Sequence, residues 1–177
     1  MNAAIFGFFT GLHLALLQFG YLFTLVVNVS STYVTYAMIV LSWRAGTLVG
    51  LRWERLDPRA ALAIGVVSYL SIYGLVTVSP LAIYTLPLAA FGVMTSGLWA
   101  GRFFVVMHPY FERVDRLFFH ENNGFMLGTV GAFVGFTLLG RPFLLTGPLI
   151  TGAALLVHLI AIRTRGPIAA STSTAPQ

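Results

Sequence analysis

Residues 4–28 read AIFGFFTGLHLALLQFGYLFTLVVN, a run without a single Asp, Glu, Lys or Arg. At about 1.5 Å rise per residue, a helix of this length crosses the roughly 30 Å hydrocarbon layer of a bilayer with residues to spare. The run does not alternate in period two. Leu14-Ala15-Leu16-Leu17 is continuously apolar, as is Ala153-Ala154-Leu155-Leu156-Val157 near the other end. A membrane strand alternates lipid-facing and lumen-facing residues, so helices are expected; they satisfy their own backbone where lipid offers no partner.

Working outward, similar runs extend from about Ser31 to Leu51, Ala60 to Val78, Leu81 to Met107, Gly124 to Gly140 and Phe143 to Ile162. The expected architecture is therefore all-α, a polytopic membrane protein of six transmembrane helices within residues 1–165. Residues 166–177, GPIAASTSTAPQ, have nothing to bury and are expected to form a flexible cytoplasmic tail. The start, Met1-Asn2-Ala3-Ala4, lacks the basic region of a secretory signal, so the first run is expected to be retained.

The composition excludes the alternatives. Of 177 residues, 58% are hydrophobic and 8% charged, whereas a soluble domain carries about 25% charged residues. Disorder needs low hydrophobicity and high charge. Cysteine is absent, which removes disulfides, thiolate metal sites and cysteine nucleophiles. All ten basic residues are Arg, and most sit between or at the ends of the apolar runs, so the net charge of +5 marks topology rather than nucleic-acid binding. Arg52, Arg55 and Arg59 follow the second run, Arg102, Arg113 and Arg116 flank the connection after the fourth, and Arg163 and Arg165 follow the sixth. The opposite connections hold only Arg141. Positive charge accumulates on the cytoplasmic side, which places both termini there, in a cell inner (cytoplasmic) membrane. Asn28-Val29-Ser30 has the glycosylation pattern but lies beside a span, where chance is the simpler reading.

Few residues carry chemistry. Glu54, Asp57, Glu112, Asp115 and Glu121 are all expected in the two cytoplasmic loops, leaving no carboxylate inside the bilayer for proton coupling. Arg44 is the one charge inside a run; it can snorkel to the interface or pair with a loop acid, with Trp43 in the interfacial belt, or it can face a polar cavity. His13 and His158 lie at similar expected depths, so they are candidate axial ligands for haem or another pigment. The simpler reading is a lone imidazole bonded to a neighbouring helix, or to Gln18. His108 and His120, with Glu112 and Glu121, match no metal-ligand spacing and read as an amphipathic surface segment. Gly124, Gly128, Gly131 and Gly135 line one helical face, and Gly46-xxx-Gly50 and Gly97-xxx-Gly101 repeat the theme, which predicts close helix packing.

Two resemblances follow from these residues. GLRWERLDPRAAL resembles the loop between the second and third helices of major facilitator transporters, with Gly50, Glu54, Arg55 and Arg59 in the matching places. Asp57 stands where that motif has a second glycine and Pro58 where it has a base. The resemblance implies a cytoplasmic charge relay of Glu54, Arg55 and Arg59, joined by Arg113 and Arg116, between helix ends. Residues 86–97, RLFFHENNG at 116–124 and LGTVGAFVGFTLLG at 127–140 resemble the membrane module of polytopic spermidine-synthase-like proteins. Their soluble catalytic domain has no counterpart in these residues, so the resemblance implies the six-helix module and no enzyme activity.

The leading expectation is a non-catalytic integral membrane subunit that packs by its glycine faces and cytoplasmic loops into a larger membrane complex. The alternative is a small-solute transporter or permease acting as a dimer of six-helix halves, in which His13, Gln18, Asn28 and Thr32 would converge on one cavity. A third is a haem- or pigment-binding electron-transfer subunit built on His13 and His158. Otherwise neither cofactor nor metal is expected. The expected partners are the lipid bilayer and other membrane subunits or a second copy, with no nucleic acid.

Overall fold

The computed structural model describes residues 3–29, 33–111 and 113–164. Among them are six long α-helices and no strand: α1 (Ala3–Asn28), α2 (Tyr33–Arg52), α3 (Pro58–Val78), α4 (Thr85–Met107), α5 (Val114–Leu139) and α6 (Arg141–Thr164). A 3-10 turn, His108–Tyr110, joins α4 to the α5 approach. All six helices are long and apolar enough to cross a membrane. The chain is a multi-pass membrane protein. Ser30, Thr32, Glu112, Arg165 and the 166–177 tail lie outside the described residues.

Local chemistry sets several boundaries. Asp57 caps α3, its carboxylate accepting the backbone N–H of Arg59 at 2.8 Å and of Ala60 at 3.3 Å, while Pro58 opens the first turn. Gly140 stops α5 with φ of 65°, a conformation that glycine adopts without a Cβ penalty. The fourth helix starts at Thr85 rather than near Leu81, and the Thr85 hydroxyl donates back to the Ser79 carbonyl at 2.6 Å.

The fifth helix corrects the sequence reading most. It begins at Val114, not near Gly124. Residues 114–123 hold neither Pro nor Gly, and Asn123 satisfies its side-chain amide on the Phe119 carbonyl at 2.6 Å, one turn back. Leu117, Glu121 and Gly124 share the buried face. Tertiary packing of that face outweighs the loop preference of the Asn pair. Asp115 and Glu121 are consequently helical, and Glu121 is 7% exposed, not a loop acid.

The helices pack most closely in two pairs, α1 with α5 and α2 with α4. Glycines make both seams. A Cβ on Gly46 would collide with the Met94 carbonyl, one on Gly50 with that of Leu98, and one on Gly97 with that of Trp43. In the other seam Gly124 lies against the Phe8 carbonyl, Gly128 against Leu12 and Gly11 against Glu121. One constant offset carries Phe8, Gly11 and Leu12 onto Met94, Gly97 and Leu98. A second carries Trp43, Gly46 and Gly50 onto Glu121, Gly124 and Gly128. The same scheme pairs α3 with α4 as it pairs α6 with α1. The three-helix unit α1–α3 therefore repeats as α4–α6, and because each unit has an odd number of crossings, the second is inverted in the bilayer.

The interior between the seams is aromatic and selectively polar. The Tyr21 hydroxyl lies 2.8 Å from the Ser96 hydroxyl and 3.1 Å from the Gly92 carbonyl, and Ser96 donates to the Gly65 carbonyl at 2.9 Å. Tyr69 donates to the Leu144 carbonyl at 2.6 Å. That carbonyl is the one that a backbone N–H at position 148 would normally satisfy. Pro148, inside α6, has none. A tyrosine from α3 thus supplies the donor that the proline removes.

Candidate functional site

Between the two tight pairs, α1 meets α2 only loosely, and a groove of about 620 Å³ opens there. Its lining follows the repeat. Leu14 and Gln18 of α1 answer Ala100 and Phe104 of α4; Val40, Trp43, Arg44 and Thr47 of α2 answer Phe118, Glu121, Asn122 and Phe125 of α5. The equivalent positions differ in chemistry, so the groove is pseudo-symmetric in shape and asymmetric in charge. One wall presents a cation, Arg44, and the other an acid, Glu121. Gln18, Thr47, Asn122 and Tyr36 add polar groups, and Phe104 stacks on Phe118 with ring centroids 4.8 Å apart.

Backbone proximity explains why Glu121 can sit there. Gly11 has no side chain, so α1 runs directly over the Glu121 backbone and covers it. Glu121 stands two turns into α5, about 10 Å from its start at 1.5 Å per residue. Among the described residues no ion pair joins Glu121 or Arg44 to another charged group. Trp43 is 8% exposed and lines the groove, which corrects its assignment to an interfacial belt. Arg44 is exposed and lines the same groove.

The other anticipated residues fall elsewhere. His13 is fully buried on the opposite side of α1, its Nδ1 2.9 Å from the Thr151 hydroxyl of α6, not bonded to Gln18. The His158 ring packs on Phe6, centroids 5.3 Å apart. Since α1 and α6 run antiparallel at this contact, the two histidines occupy levels two helical turns apart, about 10 Å. Two nitrogens at about 2 Å from one metal stand only about 4 Å apart. The pair does not converge on a common centre. His158 instead lines a smaller cavity of about 390 Å³ with Asp57, Arg59 and Tyr110. His120 packs on the Phe111 and Phe119 rings. Asn28 accepts from Arg141 at 3.0 Å at the far end of the bundle, so of the three described residues among those proposed to share a cavity, His13, Gln18 and Asn28, only Gln18 reaches the groove.

The glycine faces also need redrawing. Gly46, Gly50, Gly97, Gly101, Gly124 and Gly128 all meet backbone of this chain's own helices, so they build its seams rather than an outer docking face. Gly135 lies against the Phe143 ring, and a Cβ on Gly131 would meet nothing within 4 Å. In the charge cluster expected on the cytoplasmic side, Arg113 pairs with Asp115 at 2.7 Å, with both side chains solvent-exposed. No ion pair ties Glu54, Arg55 or Arg59 to another group among the described residues. The loop is held differently, by the buried Arg102 of α4, whose Nε donates to the Leu56 carbonyl at 3.0 Å. Neither Arg102 nor the Tyr69–Pro148 relation is visible in spacing alone, because each joins residues far apart in the chain. Comparison with family models, with curated proteins and with solved structures finds no match to this chain.

Proposed function

We propose that this chain is one body of a small-solute permease of the cytoplasmic membrane, working as a pair of six-helix bodies that face each other across the groove. The observation that carries this reading is a buried acid, Glu121, lining an intramembrane groove together with Arg44, Gln18 and Asn122. Ionisable groups are costly against hydrocarbon and are found facing protein or a water-filled cavity. A groove open at its side leaves such groups against lipid, and a second copy laid over α2 and α5 closes it. Arg52, Arg55, Arg59, Arg113 and Arg116 gather at one end of the bundle and Arg141 at the other, which supports a cytoplasmic placement of the ends at Ala3 and Thr164. The likeness of the α2–α3 loop to that of facilitator transporters accords with the same role.

Absence of cysteine makes the test direct. Thr47→Cys and Asn122→Cys place single thiols in the groove, and Val67→Cys, on the exposed face of α3, serves as the lipid-facing control. Membrane vesicles are treated with a water-soluble, impermeant maleimide from either side. The groove thiols are expected to react much faster than the control. Groove thiols that react no faster than Val67→Cys would refute a water-accessible solute path. Reaction only after other polypeptides are stripped away would instead favour a subunit packed into a larger complex.

A further inference from the structure

We infer that the groove holds a zwitterionic ligand, its ammonium against Glu121 and its anionic end, carboxylate or phosphate, at Arg44. This rests on the reading of the groove as a solute site and adds the ligand's chemistry. Glu121 and Arg44 line the same cavity, yet no ion pair joins them. Neither meets another charged side chain among the described residues, and no further charged residue lines the groove. A ligand bearing both signs leaves the site neutral inside a low-dielectric layer, whereas a simple cation or anion leaves one protein charge unmet. The walls favour an alkylated ammonium. Trp43, Phe104, Phe118 and Phe125 line the groove with aromatic surface, which attracts organic cations through ring faces. Asn122 and Gln18 add neutral hydrogen-bonding groups to the same lining.

Two sources share this chemistry: a free betaine-like solute, and the headgroup of a phosphatidylcholine entering from the side. The full chain in maltoside micelles is melted with glycine betaine, tetramethylammonium, acetate, short-chain phosphatidylcholine or short-chain phosphatidylglycerol. Stabilisation by glycine betaine that exceeds both single-charge ions identifies a free solute. Stabilisation by phosphatidylcholine alone, and not by phosphatidylglycerol, identifies the headgroup. Glu121→Gln and Arg44→Gln are each expected to abolish the shift. If either variant fails to fold, protection of Thr47→Cys from maleimide by the same compounds gives the same reading in a background with both charges intact. The proposal is overturned if tetramethylammonium matches glycine betaine, or if none of the zwitterions stabilises or protects. It is also overturned if a double-mutant cycle in the ligand-free protein shows Glu121 and Arg44 coupled to each other. A groove that labels from water but takes no zwitterion would sink this inference and leave the permease reading standing.

Discussion

Replacing Tyr69 by Phe removes one hydroxyl and almost no volume. In this chain that hydroxyl donates at 2.6 Å to the Leu144 carbonyl, which Pro148 leaves without its helical partner. Both groups are buried, so the carbonyl loses its donor where no water replaces it. The expected loss is about 1–3 kcal/mol, or roughly 2–12 °C in melting temperature for a chain of this size. Pro148→Ala restores a backbone N–H one turn beyond the same carbonyl. In that background Tyr69→Phe is expected to cost at least about 1 kcal/mol less, a coupling that a double-mutant cycle resolves. Thermal unfolding followed by helical circular dichroism in a single detergent gives all four corners. Equal losses in both backgrounds would show that the phenol acts through packing alone, and the account of the proline-freed carbonyl would be wrong.

Gly46→Ala puts a methyl into the Met94 carbonyl and forces α2 from α4; overpacking of this kind costs about 1–3 kcal/mol. Gly131→Ala, with open space around it, is expected to raise stability by up to about 1 kcal/mol through helix propensity. Opposite signs in one thermal-shift series check the seam. Asp57→Ala removes the cap of α3 and should lower stability by about 0.5–2 kcal/mol, while Asp57→Asn, which still accepts the two N–H groups, should retain most of it. Tyr21→Phe takes a donor from the Ser96 and Gly92 cluster and is expected to cost about 0.5–1.5 kcal/mol without altering thiol labelling in the groove.

What the sequence discloses here tracks the physical range of each interaction. Unbroken apolar runs disclose five of the six helices to within four residues at either end, because hydrocarbon thickness and backbone satisfaction act locally. The glycine spacing discloses close packing, but not the partner: Gly124 and Gly46 read alike and serve seams with different helices. The start of α5 is hidden because Asn122 and Asn123 look like a loop end, whereas the backbone of α1 packs over Gly124 and Glu121 and Asn123 bonds back to the Phe119 carbonyl. The same oversight hides the site. With Glu121 assigned to a loop, no acid remains inside the bilayer, and Arg44 has no counterpart. Among the described residues, Gln18 is the one polar path candidate from the sequence that the fold places in the groove.

Glycine-to-carbonyl contact fastens α1 to α5 and α2 to α4 so closely that neither couple has room to slide or splay. Freedom to change shape is thus concentrated where the couples adjoin, along the line that also contains Arg44 and Glu121. Rocking of one couple against the other would widen one mouth of that line as it narrowed the opposite one, without parting a single seam.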